Sequence, residues 1–191
     1  MKKLITQIKQ CRICATELDH EPRPIVQIDK RACILIAGQA PGRKVHETGI
    51  PFNDLSGVRL REWMGVSETI FYDAKKIVLL PMGFCYPGQG KSGDLPPRKE
   101  CADTWREQVM NELPNIKLTL AIGKYAIKWH LGEKSQRNLT ETVKAWETYS
   151  PEIMPLPHPS PRNNIWLKKN TWFETELLPV LRSRVKEVLT R

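Results

Sequence analysis

No apolar run in this sequence approaches the roughly 20 residues that a bilayer-spanning helix needs. The opening stretch, MKKLITQIKQC, has two lysines but no apolar h-region and no small-residue cleavage site, so a cytosolic location is expected. Internal repeats, low-complexity tracts and long linkers are missing too, which points to a single domain over residues 1–191. Acidic residues are in short supply: 21 Asp and Glu face 30 Lys and Arg, a formal net charge of +9. A polyanion is therefore a candidate partner, since each phosphate neutralised releases counterions. Charge alone does not separate DNA, RNA and anionic lipid, although no basic amphipathic anchor is present. Five cysteines, an odd number with no secretory signal, argue against a disulfide scaffold. Hydrophobic residues reach 40%, enough for a packed core and too many for wholesale disorder.

The runs Cys33–Gly38, Ile77–Gly83 and Leu118–Gly123 are short, continuous and apolar, the pattern of strands buried on both faces. A fourth run from Ile153, IMPLP, is weakened by its prolines. Helical spacing joins Leu4, Ile5 and Ile8, and helical patterns fill residues 98–113, 125–131, 139–148 and the segment from Thr171, where Pro179 should kink the helix. Ser56 is placed to cap a helix carrying Val58, Leu60 and Trp63. Trp63, Trp105, Trp129 and Trp146 read as packing residues. Strands alternating with helices imply an α/β fold: a three-layer α/β/α sandwich around a mostly parallel four-stranded sheet. Ligands bind such sheets beyond the carboxyl ends of the strands, which puts the loops after Gly38, Gly83, Gly123 and Leu156 on one functional rim.

Two of these loops carry chemistry. In GQAPGRKVHETGIPF, Gly38 to Phe52, Gly38 and Gly42 let backbone approach a ligand, Pro41 fixes the turn, and Gln39 offers both a donor and an acceptor. No G-K-[ST] follows, so it is not a phosphate P-loop. In HPSPRN, His158 to Asn163, two prolines give stiffness, Ser160 and Arg162 suit phosphate contact, and His158 can donate to developing negative charge. Trp166, just beyond, suits either DNA contact or packing. Cys33 sits within an apolar run and reads as a core thiol. The other four cysteines form two pairs, C-x2-C at Cys11 and Cys14, and C-x15-C at Cys85 and Cys101. Such a set can hold zinc or an iron–sulfur cluster, or be four unrelated thiols.

Together the two loops resemble the uracil-DNA glycosylase superfamily, over roughly residues 11 to 165. GQAPG, continuing in step through Thr48-Gly49 and Pro51-Phe52, is most similar to its iron–sulfur branch, family 4. HPSPRN looks instead like the single-strand-selective monofunctional branch. The cysteine frame, Cys11, Cys14, Cys85 and Cys101, also resembles the iron–sulfur branch and implies a 4Fe-4S cluster, with zinc the lesser option. The resemblance implies a monomeric base-excision enzyme acting on single- or double-stranded DNA, with the substrate held by Gly38, Ala40, Pro41, Gly42, Phe52, Ser160, Arg162 and Asn163. Phe52 would stack on the flipped base and His158 would stabilise the departing one.

The chain also departs from the pattern. Gln39 stands where the iron–sulfur branch commonly has an acidic residue, and His46 lies near a second such position. Asp54 is the nearest carboxylate for positioning water, with Glu47 the alternative; a solvated surface charge explains either equally well. Gln39 would orient water or read the base edge. Four residues before Cys85, where family 4 usually has a uracil-reading asparagine, stands Pro81. Asp94 and Tyr86, in the following glycine- and proline-rich loop, are alternatives for recognition, and an ordinary cluster-enclosing loop explains both equally well. Uracil is thus the default substrate by resemblance, with hypoxanthine and xanthine beside it. A non-catalytic iron–sulfur protein that binds damaged DNA, and an iron–sulfur electron carrier, are the competing readings.

Overall fold

The computed structural model describes residues 1–91 and 93–190. Its centre is a sheet of four parallel strands, β1 (Ile34–Ala37), β2 (Ile77–Leu79), β5 (Leu118–Ile122) and β6 (Ile153–Leu156), in the order β2-β1-β5-β6. Every residue of β1, β2 and β5 is buried, as their unbroken apolar runs require. Alternation within the strands sorts residues between two layers. Ile34, Ile36, Ile77 and Leu79 pack with Leu60, Trp63, Met64, Phe173 and Leu181, from α3 (Leu55–Met64), the turn before α10, and α10 (Leu178–Thr190). Leu35, Val78 and Leu80 pack with Leu4, Ile8 and Val109, from α1 (Lys2–Lys9) and α6 (Glu107–Asn111). The sandwich expected from the sequence is the observed architecture.

Two helical segments depart from regular α geometry. Residues 98–113 form α5 (Lys99–Cys101) and α6, joined by a π-helical turn, Ala102–Arg106. A second π turn, Phe173–Leu177, precedes α10, so Pro179 falls in the first turn of that helix rather than kinking its interior. Asp54, not Ser56, caps α3: its carboxylate accepts from the Gly57 N–H at 2.9 Å. Trp129 is 41% exposed, against the packing role expected of it. Among the described residues no helix is long and apolar enough to cross a membrane.

The chain enters the sheet at β1, steps outward to β2 and returns to add β5 and then β6. This reversal gathers the loops after β1, β2 and β6 at one edge. A two-stranded ribbon, β3 (Gln89–Gly90) and β4 (Gly93–Asp94), lies over that edge.

Candidate active site

A pocket with about 490 Å³ of empty space, counting its open mouth, lies at the carboxyl ends of the strands. Its walls come mainly from Gly38 to Pro41 after β1, from Pro51, Phe52, Asp54 and Ser56 at the start of α3, from Leu79 and Pro81 at the end of β2, and from His158 after β6, with Ile25 and Val45 completing them. The predicted residues Gly38, Gln39, Ala40, Pro41, Phe52, Asp54 and His158 thus meet at one cavity. Gly42, Ser160, Arg162 and Asn163 lie outside its lining.

Phe52 has φ +54°, a left-handed conformation that a bulky residue rarely adopts. Neighbouring groups hold it there. The Tyr72 hydroxyl donates to the Pro51 carbonyl at 3.0 Å, and the Phe52 ring meets Phe71 edge-on at 5.9 Å. At Gly57 a Cβ would lie 1.8 Å from the Phe52 carbonyl oxygen, so only glycine lets α3 start this close to the loop. A Cβ at Gly38 would lie 3.4 Å from Phe52 Cζ, so the ring reaches across to the loop after β1.

His158 is half-buried and its orientation is set by its own loop. The Ser160 backbone N–H donates to His158 Nδ1 at 3.2 Å, so in the neutral ring the proton resides on Nε2. Burial holds this imidazole below its ordinary pKa, against the opposing pull of Asp54 and Asp94. The result is a neutral ring with Nε2–H as its donor at neutral pH. Asn163 Nδ2 donates to the His158 carbonyl at 2.7 Å, and Ser160 Oγ accepts from the Arg162 N–H at 3.2 Å. Ser160 and Asn163 therefore brace the loop internally, in addition to any DNA contact. Arg59 on α3, which pattern reading did not single out, donates to the Ser160 carbonyl at 3.2 Å.

The β3–β4 ribbon spans the two loops. Gln39 Nε2 donates to the Leu95 carbonyl at 3.0 Å, and Asp94 Oδ2 lies 3.4 Å from where a Gly42 Cβ would be. Partial burial raises the Asp94 carboxyl above the usual range, against the pull of Arg162 and His158. The ribbon places Asp94 between the two loops, close to Gly42 and within the charge of Arg162. Ser56 is buried and lines the pocket, a position its assignment as a cap had hidden. Trp166 donates from Nε1 to Thr140 Oγ1 at 2.8 Å and packs edge-on against Trp172 and Phe173, so its position is a packing one.

Residues 25–182 match the family model described as the uracil DNA glycosylase superfamily. The chain belongs to that superfamily. Among solved structures it is similar to a solution NMR structure of a candidate uracil DNA glycosylase from Methanosarcina acetivorans. The two share 19% identity with a TM-score of 0.47, over 85% of this chain and 98% of the other.

Four cysteines come from three places in the chain: Cys11 and Cys14 follow α1, Cys85 follows β2 and Cys101 ends α5. All five cysteines are free thiols, and Cys14, Cys85 and Cys101 are buried. Cys11 lies close enough to oppose ionisation of Cys14, Cys85 and Cys101. Burial first, then Cys101, push Cys85 up to about 12; burial also pushes Cys101 up to about 11, with Cys14 and Cys11 adding to it. Two of the sulfurs already receive N–H donors, Cys101 from the Phe84 backbone at 3.4 Å and Cys11 from Trp105 Nε1 at 3.3 Å. Among the described residues, however, no three His, Cys, Asp or Glu side chains converge tightly enough to grip a single metal ion. The donor set, four thiols of which three are buried, is chemically of the kind that holds an iron–sulfur cluster or zinc. Cys33 is half-buried outside this group, its thiol directed at the Lys76 carbonyl.

Proposed function

We propose that this protein is a monofunctional DNA glycosylase that hydrolyses the N-glycosidic bond of a flipped, deaminated base, with uracil the default substrate. The carrying observation is His158: a neutral imidazole, its Nδ1 occupied by the Ser160 N–H, lining the same pocket as the left-handed Phe52. A base extruded from the DNA stacks on Phe52. As the bond breaks, negative charge collects on the base and oxocarbenium character on the sugar. The Nε2–H of His158 stabilises the base in a site shielded from water. Asp54 positions the attacking water, and the Gln39 side-chain oxygen adds a second acceptor. Gly38, Ala40, Pro41 and Gly42 let the backbone close on the nucleotide, while Ser160, Arg162 and Asn163 press on the strand.

The same reading assigns Cys11, Cys14, Cys85 and Cys101 to a 4Fe-4S cluster, with zinc the lesser alternative, and the chain to the iron–sulfur branch. The cluster is structural, tying the N-terminal helix to the loop before Cys101. A monomeric, cytoplasmic enzyme comprising one domain over the whole chain completes the proposal.

The test is excision from oligonucleotides carrying uracil, hypoxanthine or xanthine, followed by alkaline cleavage. Strand breaks at one or more lesions are expected. DNA binding with no breaks at any of them would favour a second reading, a non-catalytic damage-binding protein. Pro81 and Gln39 support that alternative, since the wall lacks an amide at one position and an acid at the other.

A further inference from the structure

Arg106 is the largest fully buried side chain in the molecule, with 0% of its surface exposed. It sits in the π turn, in the layer beneath the pocket. Its Nη1 donates to the carbonyls of Leu80 and Pro81, each at 3.0 Å, and its Nη2 lies 2.8 Å from His130 Nε2. The guanidinium carbon stands 4.7 Å from the centroid of the Trp129 ring. Every one of these partners is neutral. Burial and the Arg106 charge push His130 down to about 3, so its ring accepts rather than donates. Among the described residues no carboxylate pairs with Arg106, and its Nε finds no partner. Burial draws the guanidinium down only to about 9, so it remains a cation at neutral pH.

A buried cation without a counterion is costly, and proteins ordinarily pair it. Pro81 links the charge to the base pocket: it lines the pocket, and its carbonyl accepts from Arg106. The oxygens of Leu80 and Pro81, the negative ends of their dipoles, are drawn onto the guanidinium and away from a bound base. Because Arg106 is fully buried, its charge acts through a poorly screening wall.

We propose that Arg106 is a positioning residue for the excision reaction, which holds the Leu80–Pro81 wall and supplies a fixed positive field that stabilises the departing base anion. This rests on the glycosylase reading above. In that reaction the C1′–N bond breaks with its electron pair on the base. Water adds its oxygen to C1′, and the proton it releases ends on the base. The field of Arg106 acts only on the charge that develops in between, so it complements the hydrogen bond from His158 without touching the substrate.

The experiment compares single-turnover excision of uracil and of 5-fluorouracil, whose anion is the more stable, by wild type, R106M and H130E. R106M removes charge and scaffold together. H130E leaves Arg106 in place and sets a carboxylate beside it, so it tests the field even where R106M does not fold. Both variants are expected to slow uracil excision roughly tenfold more than 5-fluorouracil excision, about 1.4 kcal/mol of lost leaving-group stabilisation. DNA affinity should stay near that of wild type. Equal slowing on the two bases, or a wild-type ratio in H130E, would overturn the inference while leaving the glycosylase reading intact. A wild-type protein that excises neither base overturns the inference together with the uracil default, and inactivity on hypoxanthine and xanthine as well would sink the glycosylase reading itself.

Discussion

At the scale of single residues, the site depends on what each side chain has already committed to its neighbours. His158 has only one nitrogen left to offer, because Ser160 occupies the other. His158→Ala should cut turnover by about 10²–10³-fold, the usual loss for a preorganised donor to developing charge. DNA affinity should barely change; a parallel loss of binding would contradict the role. The pH dependence has a definite sign. Burial lowers the folded-state pKa below the ordinary histidine value, so the neutral ring persists as pH falls past that value. Turnover should hold from pH about 8 to about 6.5 and decline only below it, as protonation of Nδ1 breaks the bond from Ser160. A stability contribution from the buried neutral ring follows the same course, present above the unfolded-state pKa and lost as pH falls toward the folded one. A profile that rises on acidification through this range would show that the charged ring is the active form.

At the scale of elements, Asp54 belongs both to a helix and to a pocket. As the N-cap of α3 it satisfies the Gly57 N–H, and as a pocket residue it exerts charge on His158 and Asp94. The two roles separate by substitution, because asparagine caps helices about as well as aspartate. Asp54→Asn should unfold near the wild-type temperature yet lose about 10²-fold in turnover, whereas Asp54→Ala should also lose about 1 kcal/mol of stability. Full activity in Asp54→Asn would remove Asp54 as the water-positioning group. The helices and strands themselves were largely legible in the sequence. β1 and β5 form within the runs Cys33–Gly38 and Leu118–Gly123 because apolar continuity leaves no solvent face. The π turns at 102–106 and 173–177 were not legible, since an extra residue per turn depends on how the helix packs rather than on local propensity. Ser and Asp both suit an N-cap, and the left-handed turn at Phe52, two residues before Asp54, gives that role to Asp54 rather than Ser56.

At the scale of the whole molecule, the basic surface and the cysteine frame make separate predictions. If the net charge of +9 serves DNA binding, affinity should fall steeply with salt. For about six neutralised phosphates the loss is roughly 10³-fold between about 50 and 200 mM salt. Binding that ignores salt would remove the electrostatic reading. Protein purified without oxygen should absorb broadly near ~400 nm if the four cysteines ligate a cluster. Cys85→Ser should bleach that band and lower stability, because Cys85 bridges the N-terminal cysteines and the loop running to Cys101. Colourless, metal-free, folded wild-type protein would dismiss the cluster. Ring contacts also run from the cysteine frame toward the segment after β1: Tyr86, next to Cys85, stacks on His20 at 5.3 Å, and His20 meets His46, the neighbour of the pocket residue Val45, at 4.5 Å.

The sequence by itself determined the layered α/β architecture, the loops that form the rim and the residue types available for excision chemistry. Those are set by local information: apolar continuity, turn residues, and short motifs whose spacing is fixed by covalent distance. Only the tertiary structure decided which nitrogen of His158 is free, that Ser160 and Asn163 brace their own loop, that the β3–β4 ribbon brings Asp94 between the two loops, and that Arg106 lies uncompensated beneath Pro81. Each of these depends on contacts between residues tens of positions apart or on a hydrogen-bond partner chosen among several. Long-range proximity and burial govern the placement of Asp94 and Arg106; within HPSPRN the partners are near in sequence, but the loop's fold selects which of them pair.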